Sequence, residues 1–397
     1  MSSPRPTEGI MKLLKNHFFL APEVIFLNHG SFGATPRPVL ENYQDWQCRL
    51  EYQPVQYLIR ELQGNFRTAR QKLASYLKID PDNLVYVPNA TFGVNVIARS
   101  LDFQPGDELL TSNHEYGACD NIWDFLSQKK GLKVIRRDIP LPLPSKEDMI
   151  EIIWEGVSEK TRLIFLSQIT SPSAIRLPVE EICQRAREAG ILILVDGAHA
   201  PGQIDLDLNQ LGADFYTGNC HKWLMAPKGS GFIHIRPEHQ SLVEPLVVSW
   251  GWGENCPFKS DSRLQSILEW WGTKDPAAYF STPSAIAFQQ EHQWDKVRVA
   301  CRNLLAGALQ RIEILTGMQS IYGENENNFI QIGAAEWPRE WNPENLQGWL
   351  YDRHKIEIPV IQWEDRWLIR PSVQGYNSRE DLDLLAKALE EYKIKEQ

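Results

Sequence analysis

An acid, a histidine and a lysine lie close together in the stretch "VDGAHAPGQIDLDLNQLGADFYTGNCHKWL", residues 195–224. Asp196 follows directly after the apolar run "ILILV" (191–195), His199 comes three residues later, and Lys222 follows a second apolar segment. Burying a carboxylate or an amine is costly unless the group is paired. A strand that ends on Asp196 is therefore either closed by a turn or built to present that charge.

These three residue types suit one particular chemistry. In a doubly wound parallel sheet, ligands bind beyond the carboxyl ends of the strands, so Asp196, His199 and Lys222 would meet at one edge. A lysine that forms a Schiff base and an aspartate against the pyridine nitrogen are the protein groups that pyridoxal 5′-phosphate requires. The lysine, once released by substrate, would move the proton at the α-carbon. Taken singly, each residue also has an ordinary explanation, a turn for Asp196 and a solvated pair for "HK".

Other familiar sites are absent from the sequence. There is no GxxxxGK[ST] loop, no GxGxxG after a strand and no HExxH, so we expect neither a mononucleotide loop nor a metal centre. "HGSFG" is not a GxSxG elbow, because His29 stands two residues before Ser31. The six cysteines are scattered without a CxxC pair, which predicts reduced thiols and a cytoplasmic protein.

Length and charge narrow the class of protein further. At 397 residues the chain exceeds the roughly 250–300 residues at which single cores stop growing, which predicts two domains. The net charge of −10, without a dense Lys/Arg run, argues against nucleic acid or an anionic membrane as partner. No stretch approaches the roughly 20 apolar residues of a membrane helix, and the apolar cluster near the N-terminus is too short for a signal peptide.

Short apolar runs that alternate with helical patterns must position the chemical groups. The runs cover residues 83–88, 107–113, 132–139, 161–168, 191–195 and 229–237. Buried β-branched runs separated by helices of 10–15 residues are typical of βαβ units and a parallel sheet, so the predicted class is α/β. From about residue 285 long helical patterns precede short strands in "FIQIGAAE", "IEIPVI" and "RWLIRPS", which predicts a smaller α+β domain.

Several motifs resemble one enzyme family. Together with the 195–224 stretch they are "LNHGSFGATPRPV" (27–39), "NATFGVN" (89–95), "GTKDPAAYFSTPSAI" (272–286) and "IRPSVQGYN" (369–377). Over roughly residues 25–385 the chain resembles class V aminotransferase-like enzymes of fold-type I, a group with cysteine desulfurases, kynureninase and isopenicillin-N epimerase, and it is most similar to the last branch.

The resemblance implies a fold and a division into domains. The fold-type I PLP-dependent transferase fold has a three-layer α/β/α large domain, with a mostly parallel seven-stranded sheet, and a smaller α+β domain. On this chain the large, cofactor-binding domain would span residues 26–288. The small domain would combine residues 1–25 with residues 289–397.

Around the cofactor ring, the resemblance assigns five positions. Lys222 matches the Schiff-base lysine, Asp196 the partner of the pyridine nitrogen, and His199 a group near the ring hydroxyl. In "SNHEYGA", His114 matches the ring that stacks over the cofactor, with Tyr116 as the alternative. A residue there faces the ring opposite Lys222 and would matter for any second proton transfer. In "LSQITSPS" a further side chain, from Gln168 or Thr170, could reach the ring hydroxyl.

At the cofactor phosphate, the resemblance assigns a helix start and three side chains. Ala90 and Thr91 match a phosphate-binding turn, where backbone N–H groups and the helix dipole suit a dianion. Asn219 and His221 flank the lysine at positions that contact the phosphate in relatives. Thr273 resembles the residue that reaches the phosphate of the neighbouring subunit, which predicts a homodimer with shared active sites.

For the substrate, the resemblance assigns three residues. Arg370 matches the arginine whose planar fork binds an α-carboxylate. Asn28 and His29 lie in a segment that lines the substrate pocket in relatives. The last cysteine is Cys301, so the small-domain cysteine of a persulfide-forming desulfurase is missing, and we interpret Cys220 as packing behind the site.

Three reactions remain open for an amino-acid substrate. Epimerisation needs Lys222 on one face and an acid on the other, transamination needs Lys222 alone, and β-elimination (a cysteine or cystine C–S lyase) needs only α-deprotonation and a good leaving group. The resemblance favours an isopenicillin-N epimerase-like epimerase or racemase. A catalytically silent PLP-fold binding protein is a remote alternative, because Asp196, Lys222 and Arg370 are all present.

Overall fold

A computed structural model describes residues 14–253, 258–323 and 328–396, so residues 1–13 of the predicted small domain lie outside it. The predicted domain boundaries at residues 25/26 and 288/289 stay a prediction. The described strands, in chain order, are β1 Ile25–Phe26, β2 Leu84–Val87, β3 Glu108–Ser112, β4 Lys133–Arg137, β5 Thr161–Ser167, β6 Leu192–Gly197, β7 Phe215–Asn219, β8 Gly231–Ile235, β9 Ala335–Trp337, β10 Ile356–Glu357, β11 Val360–Trp363 and β12 Arg366–Ile369.

The main sheet has seven strands in the order β2-β8-β7-β6-β5-β3-β4. Strand β8 runs antiparallel to both of its neighbours, and the pairs from β7 through β4 are parallel. The prediction of a mostly parallel α/β sheet is confirmed. Strand β2 is buried along its whole length, which explains why its sequence, LVYV, is a continuous apolar run rather than an alternating one.

Side chains of successive strand residues enter two separate apolar cores. On β5, Ile164 and Leu166 belong to one core, while Leu163 and Phe165 belong to the other. Because side chains alternate across a sheet, two cores require helices on both faces. The predicted three-layer α/β/α arrangement is therefore confirmed. The described α-helices of this part are His29–Phe32, Arg37–Tyr52, Leu62–Leu77, Ala90–Ser100, Gly117–Lys130, Lys146–Trp154, Val179–Ala189, Leu208–Leu211, Arg263–Glu269, Ala277–Phe280 and Thr282–Glu291, and a π-helical segment, Gln56–Glu61, precedes the third of them.

In the described ranges, the C-terminal part has three long helices and the strands of two small sheets, one of which also includes β1 near the N-terminus. Strands β11, β12 and β9 form an antiparallel sheet in that order, and β1 pairs in parallel with β10. The helices are Trp294–Thr316, Pro343–His354 and Arg379–Glu396. This α+β pattern agrees with the sequence. No helix in the described ranges is long and apolar enough to cross a membrane.

One predicted strand, "FIQIGAAE", is shorter than expected. Regular pairing begins only at Ala335, in β9. Before it, the backbone N–H groups of Gln331 and Ile332 both donate to the side-chain oxygen of Gln203, at 2.9 and 3.2 Å. A side chain from the main-sheet half of the chain thus takes the place of a neighbouring strand here, and the local apolar pattern could not reveal this contact.

Candidate active site

A cavity of about 220 Å³ lies at the edge where the parallel strands of the main sheet end. The register brings Ser167 at the end of β5, Asp196 on β6 and Thr217 on β7 side by side. The segments that follow the strands close the walls. Among the sequence-predicted residues, those that line the cavity are Ala90, Thr91, Tyr116, Asp196, His199, Asn219, His221 and Lys222.

Lys222 follows β7 and points its amine into the cavity. Its Nζ atom lies 3.0 Å from Nε2 of His199. Burial lowers the pKa of Lys222 to about 8, against the opposing effect of the Asp196 carboxylate. Near neutral pH this lysine is therefore much closer to its uncharged, nucleophilic form than an exposed lysine.

Asp196 is the buried acid that the sequence predicted at the end of β6, with only 3% of its surface exposed. Oδ1 accepts a hydrogen bond of 2.8 Å from the backbone N–H of Ala198, and the Cys119 thiol lies 3.6 Å from Oδ2. Burial raises the pKa of Asp196, while the Ala198 N–H and the charge of Lys222 act in the opposite direction. A cationic partner inside the cavity would stabilise its ionised form.

A helix N-terminus forms another wall of the cavity. The helix Ala90–Ser100 begins at the cavity, and Asn89 caps it by accepting from the N–H of Phe92. Asn219 holds the same turn, because its side-chain oxygen accepts from the N–H of Ala90 at 2.8 Å. Such a helix end favours an anion, as the sequence predicted for this turn.

His221 lines the cavity directly before Lys222 in the chain, and its predicted contact with the cofactor phosphate stays a prediction. Its Nδ1 atom donates to the carbonyl of Ser230 at 3.0 Å, which leaves Nε2 as the free ring nitrogen. Burial lowers the pKa of His221 to about 4, and the carbonyl hydrogen bond opposes this shift. An anion at the helix start would favour the charged form of this ring.

His114 lies outside the cavity, which corrects the expectation that its ring covers the cofactor. The side chain is fully buried, stacks on Trp363 at a centroid distance of 4.3 Å, and bonds through both ring nitrogens to Ser173 and Ile139. Tyr116, the alternative, lines the cavity and is 47% exposed. The two residues share a short turn after β3, and only the direction of the chain decides which ring faces the site.

Thr170 and Gln168 do not face the cavity either. The Thr170 hydroxyl contacts Ser173 at 2.9 Å and accepts from the N–H of Ile175 at 2.9 Å. The side-chain oxygen of Gln168 accepts from the Tyr216 hydroxyl at 2.7 Å. Both side chains thus hold the strand end together, and the cavity is lined instead by Ser167, Ile169 and Ser171.

Arg370 is buried beside the cavity and contacts it from the C-terminal part of the chain. Its guanidinium donates to the backbone carbonyl of Ser171, to the Ser171 hydroxyl at 3.3 Å and to the Ser31 hydroxyl at 3.2 Å. The buried Nε atom has no hydrogen-bond partner among the described residues. Burial lowers the pKa of Arg370 to about 10. A guanidinium held only by neutral oxygen atoms is suited to receive a carboxylate.

The structure places Asn28 and His29 in different surroundings. Asn28 stays near the site, because its side-chain oxygen accepts from Ser31, the residue that contacts Arg370. His29 is fully buried behind Lys222, where Nε2 lies 3.1 Å from the Lys222 carbonyl and Nδ1 lies 3.0 Å from the Tyr376 hydroxyl. His29 is therefore too deep to line the substrate pocket, which corrects that expectation.

Thr273 is exposed and does not line the cavity of its own chain. Its predicted contact with a neighbouring subunit stays a prediction.

Glu115 is a buried acid that sequence reasoning missed. Oε1 accepts from the Ser112 hydroxyl at 2.6 Å, and Oε2 accepts from the Ser167 hydroxyl and backbone N–H at 2.6 and 2.9 Å. Burial raises the pKa of Glu115 to about 8, and the serine hydrogen bonds oppose the shift. A charged residue inside the apolar-flanked "TSNHEYGA" segment was the available signal.

The residues present fit the cofactor that the sequence suggested. Three groups surround one cavity. They are the Lys222 amine with its lowered pKa, the buried Asp196 carboxylate, which has no ion-pair partner in the described ranges, and the N-terminus of the helix that begins at Ala90. Those groups match the aldehyde, the pyridine nitrogen and the phosphate of pyridoxal 5′-phosphate, respectively.

Comparisons with known proteins agree with this geometry. The family profile of Aminotransferase class-V matches residues 25–385. An isopenicillin N epimerase from Amycolatopsis lactamdurans is 35% identical over 94% of this chain and 96% of its own length. An L-cysteine desulfhydrase from Arabidopsis thaliana is 24% identical over 92% of this chain and 87% of its own.

A cysteine desulfurase structure from Thermococcus onnurineus superposes with a TM-score of 0.82 at 20% identity. It covers 98% of this chain and 99% of that chain, so it shows the fold. The chain belongs to the class V aminotransferase family and is an enzyme that depends on pyridoxal 5′-phosphate.

Proposed function

We propose that this enzyme inverts the configuration at the α-carbon of an amino acid, or of a substrate that contains one, as an epimerase or racemase. The observation that carries the proposal is that the Lys222 amine and the Tyr116 ring both line one cavity. The similarity to proteins named isopenicillin N epimerase supports the same reaction class.

Three residues would hold the cofactor in its working position. Lys222 is the point of covalent attachment, Asp196 receives the pyridine nitrogen, and the helix start at Ala90 receives the phosphate. When bound, the cofactor delocalises the electron pair left at the α-carbon once its proton is removed. The buried Asp196 carboxylate favours this role, because a cation beside it relieves its own burial cost.

Arg370 would fix the substrate by its carboxylate. Its guanidinium contacts Ser31 and Ser171, both of which line the cavity, so a carboxylate bound there lies at the cavity wall. A bidentate arginine contact sets the orientation of the carboxylate plane. The α-hydrogen is thereby held in reach of the Lys222 amine, which removes it as a general base.

Inversion needs a second group that delivers a proton to the opposite face. Tyr116 is the candidate, since its side chain lines the cavity and its phenol interacts electrostatically with the Arg370 guanidinium. A phenol hydroxyl can both donate and accept a proton. Lys222 and Tyr116 would thus alternate as acid and base in the two directions of the reaction.

β-Elimination is the second candidate. Several relatives are named L-cysteine desulfhydrase, one of them aligned over 92% of this chain. This reaction needs Lys222 and a substrate with a leaving group on the β-carbon, without a second acid on the opposite face. Transamination would likewise use Lys222 alone.

We also propose a cytoplasmic homodimer with shared active sites. The side chains of Val248 and Trp250 are 65% and 61% exposed, and large exposed apolar surfaces mark protein interfaces. Thr273 is exposed on a loop that Gln47 ties to the rest of the chain through Asp275, at 2.8 Å. A partner's cavity would be completed by this threonine.

The test incubates the holoenzyme in deuterated water with a panel of amino acids that have short, long and sulfur-bearing side chains. Deuterium incorporation at the α-carbon with loss of chirality and no keto acid is the expected result. Pyruvate with ammonia or a released thiol would replace this proposal by β-elimination, and a keto acid without ammonia would indicate transamination. A protein that exchanges no α-hydrogen with any of them would support the silent binding protein.

A further inference from the structure

A chain of three side chains runs from the protein interior to the cavity. The indole nitrogen of Trp223 lies 3.2 Å from Nδ1 of His199, and Nε2 of the same histidine lies 3.0 Å from Nζ of Lys222. Trp223 is fully buried and His199 is 2% exposed. Bulk water therefore cannot replace the contact between Trp223 and His199.

The first contact determines where the histidine carries its proton. An indole N–H can only donate, so Nδ1 of His199 must present its lone pair. A proton on Nδ1 would place two donors against each other at 3.2 Å inside the protein. This excludes both the Nδ1–H tautomer and the doubly protonated ring.

The second contact then has one consistent direction. A neutral imidazole with a bare Nδ1 carries its hydrogen on Nε2, and that hydrogen points at the Lys222 amine. An ammonium group has no lone pair to accept it, whereas a neutral amine has one. The contact at 3.0 Å therefore selects the uncharged amine of Lys222.

We propose that Trp223 is a positioning residue that keeps the proton of His199 on Nε2, so that His199 donates to Lys222 and holds its amine uncharged for condensation with the cofactor aldehyde, in which the aldehyde oxygen leaves as water. This inference rests on the proposed role of Lys222 as the attachment point, but not on the reaction that follows. The lysine does not need to be deprotonated by a separate base before the cofactor binds.

Trp223 is fixed by its own surroundings. Its backbone carbonyl accepts from the Gln289 side chain at 2.7 Å, and its indole ring packs on His29 at a centroid distance of 4.9 Å. Gly202 lets the Trp223 backbone come close, since a Cβ there would lie 2.2 Å from the Trp223 carbonyl atoms. The donor thus cannot swing away from His199 without moving several buried groups.

Burial and the positive charges around the pair act in the same direction, whereas Asp196 and Cys119 oppose them by raising the pKa of Lys222. Burial and then the positive charges of Lys222 and Arg370 hold the pKa of His199 well below its ordinary value, so the ring is neutral. Burial also lowers the pKa of Lys222 to about 8. The titratable groups that act electrostatically on one or both members of the pair are Asp196, Arg370, His221, His29 and Cys119.

Nitrogen-15 NMR of the histidines in the full-length, cofactor-free protein tests the tautomer directly, with His199→Gln to assign the signals. The expected wild-type pattern has a protonated Nε2 and a bare Nδ1. A protonated Nδ1 in the wild type would overturn the proposal, whether or not any variant folds. Because this measurement needs no substrate, it stays informative even when the reaction assigned above proves wrong.

The variant Trp223→Phe tests the consequence, since it removes the N–H and keeps an aromatic ring. His199 can then carry its proton on Nδ1 and accept from the lysine ammonium, which raises the pKa of Lys222. We expect the pH profile for the rate of cofactor incorporation to move up by about one unit, a roughly tenfold slower rate below its midpoint. The two nitrogen signals of His199 should also approach each other.

Trp123→Phe is the matched control. Trp123 is equally buried, but its indole N–H has no hydrogen-bond partner in the described part of the chain. Its replacement should leave the incorporation profile and the His199 signals unchanged. A Trp223→Phe profile that overlays on the wild type and on this control would overturn the proposal.

Discussion

Two buried arginines in this molecule are held in opposite ways. Arg70, with 1% of its side chain exposed, lies 2.5 Å from Glu269 and 2.8 Å from Asp261. Arg370 is buried to a similar degree, with 4% exposed, yet it bonds only to neutral oxygen atoms of Ser31 and Ser171 among the described residues.

The difference separates a structural charge from a functional one. Removing a charge from water costs several kcal/mol, and the Arg70 cluster offsets this within the protein by pairing opposite charges. At Arg370 the offset is incomplete, because Nε has no described partner and burial lowers the pKa to about 10. A substrate carboxylate would supply the missing anionic partner of the Arg370 guanidinium, and the resulting ion pair would contribute to substrate binding.

The largest effect is expected from Lys222→Ala, in the candidate active site beside Arg370. Without the amine the cofactor has no covalent attachment and the α-hydrogen has no base, so turnover should fall by at least ~10³-fold. The measurement is the visible absorbance of cofactor that stays with the protein after gel filtration, together with the rate. Lys228→Ala is the control, on an exposed lysine six residues later. Retained activity in Lys222→Ala would sink the assignment.

Arg70→Met should disrupt the ion-pair cluster of Arg70 with Glu269 and Asp261. It leaves the fully buried Glu269 without its closest partner, which costs about 3–5 kcal/mol of unfolding free energy. Urea denaturation measures the loss, while kcat/KM of the folded fraction should be unchanged. Arg67→Met is the control, because Arg67 is 55% exposed and pairs with the same Asp261, so a much smaller loss of stability is expected. Equal stabilities of the two variants would contradict the comparison.

Arg370→Met makes the same substitution at the arginine that lacks an acidic partner in the described ranges. In contrast to Arg70→Met, it should lower activity rather than stability. Among the described residues, no buried acid loses an ion-pair partner when this charge is removed, because Arg370 bonds only to Ser31 and Ser171. The free energy of unfolding should therefore stay the same or rise. The kcat/KM for carboxylate substrates should fall by about 10²-fold, because a buried charge contact to the ligand is lost. Cofactor retention, measured by absorbance, should be intact. Loss of the cofactor would instead make Arg370 a structural residue.

Glu115→Gln should change how the unfolding free energy varies with pH. The folded protein keeps the Glu115 proton up to about pH 8, whereas the unfolded chain releases it near its ordinary pKa of 4.5. The folded state binds the extra proton between these values, so its stability falls as pH rises, by at most about 1.4 kcal/mol per unit, and is level above pH 8. The amide variant should lack this slope in urea denaturation from pH 5 to 9. Parallel curves for both proteins would show that Glu115 is ionised.

The predictable part of the site consists of short segments that follow strands. Asp196, His199 and Lys222 could be placed from local pattern, because a buried parallel strand must deliver its last residue to the carboxyl edge of the sheet. The helix start at Ala90 came from the family resemblance, which matched Ala90 and Thr91 to a phosphate-binding turn. Such features depend on a few neighbouring residues and on the alternation of strands and helices.

The missed part depends on which way a side chain turns. His114 and Tyr116 lie two residues apart, and the apolar pattern does not tell which ring faces the cavity and which packs on Trp363. Thr170 was misplaced because its hydroxyl bonds to its own turn rather than to the site. Neighbours of this kind are set by packing between distant segments, which no local pattern records.

The sequence by itself determined the class of this protein: an α/β sheet, a lysine and an aspartate at its edge, and the family that carries them. Only the tertiary structure decided that Arg370 lacks an acidic partner in the described ranges, that Glu115 is buried between two serines, and that Trp223 directs a proton toward Lys222. Periodicity reports whether a residue is inside, whereas charge state and proton position depend on which polar atoms meet there. These polar contacts join residues as distant in sequence as Ser31 and Arg370, and only folding brings such residues together.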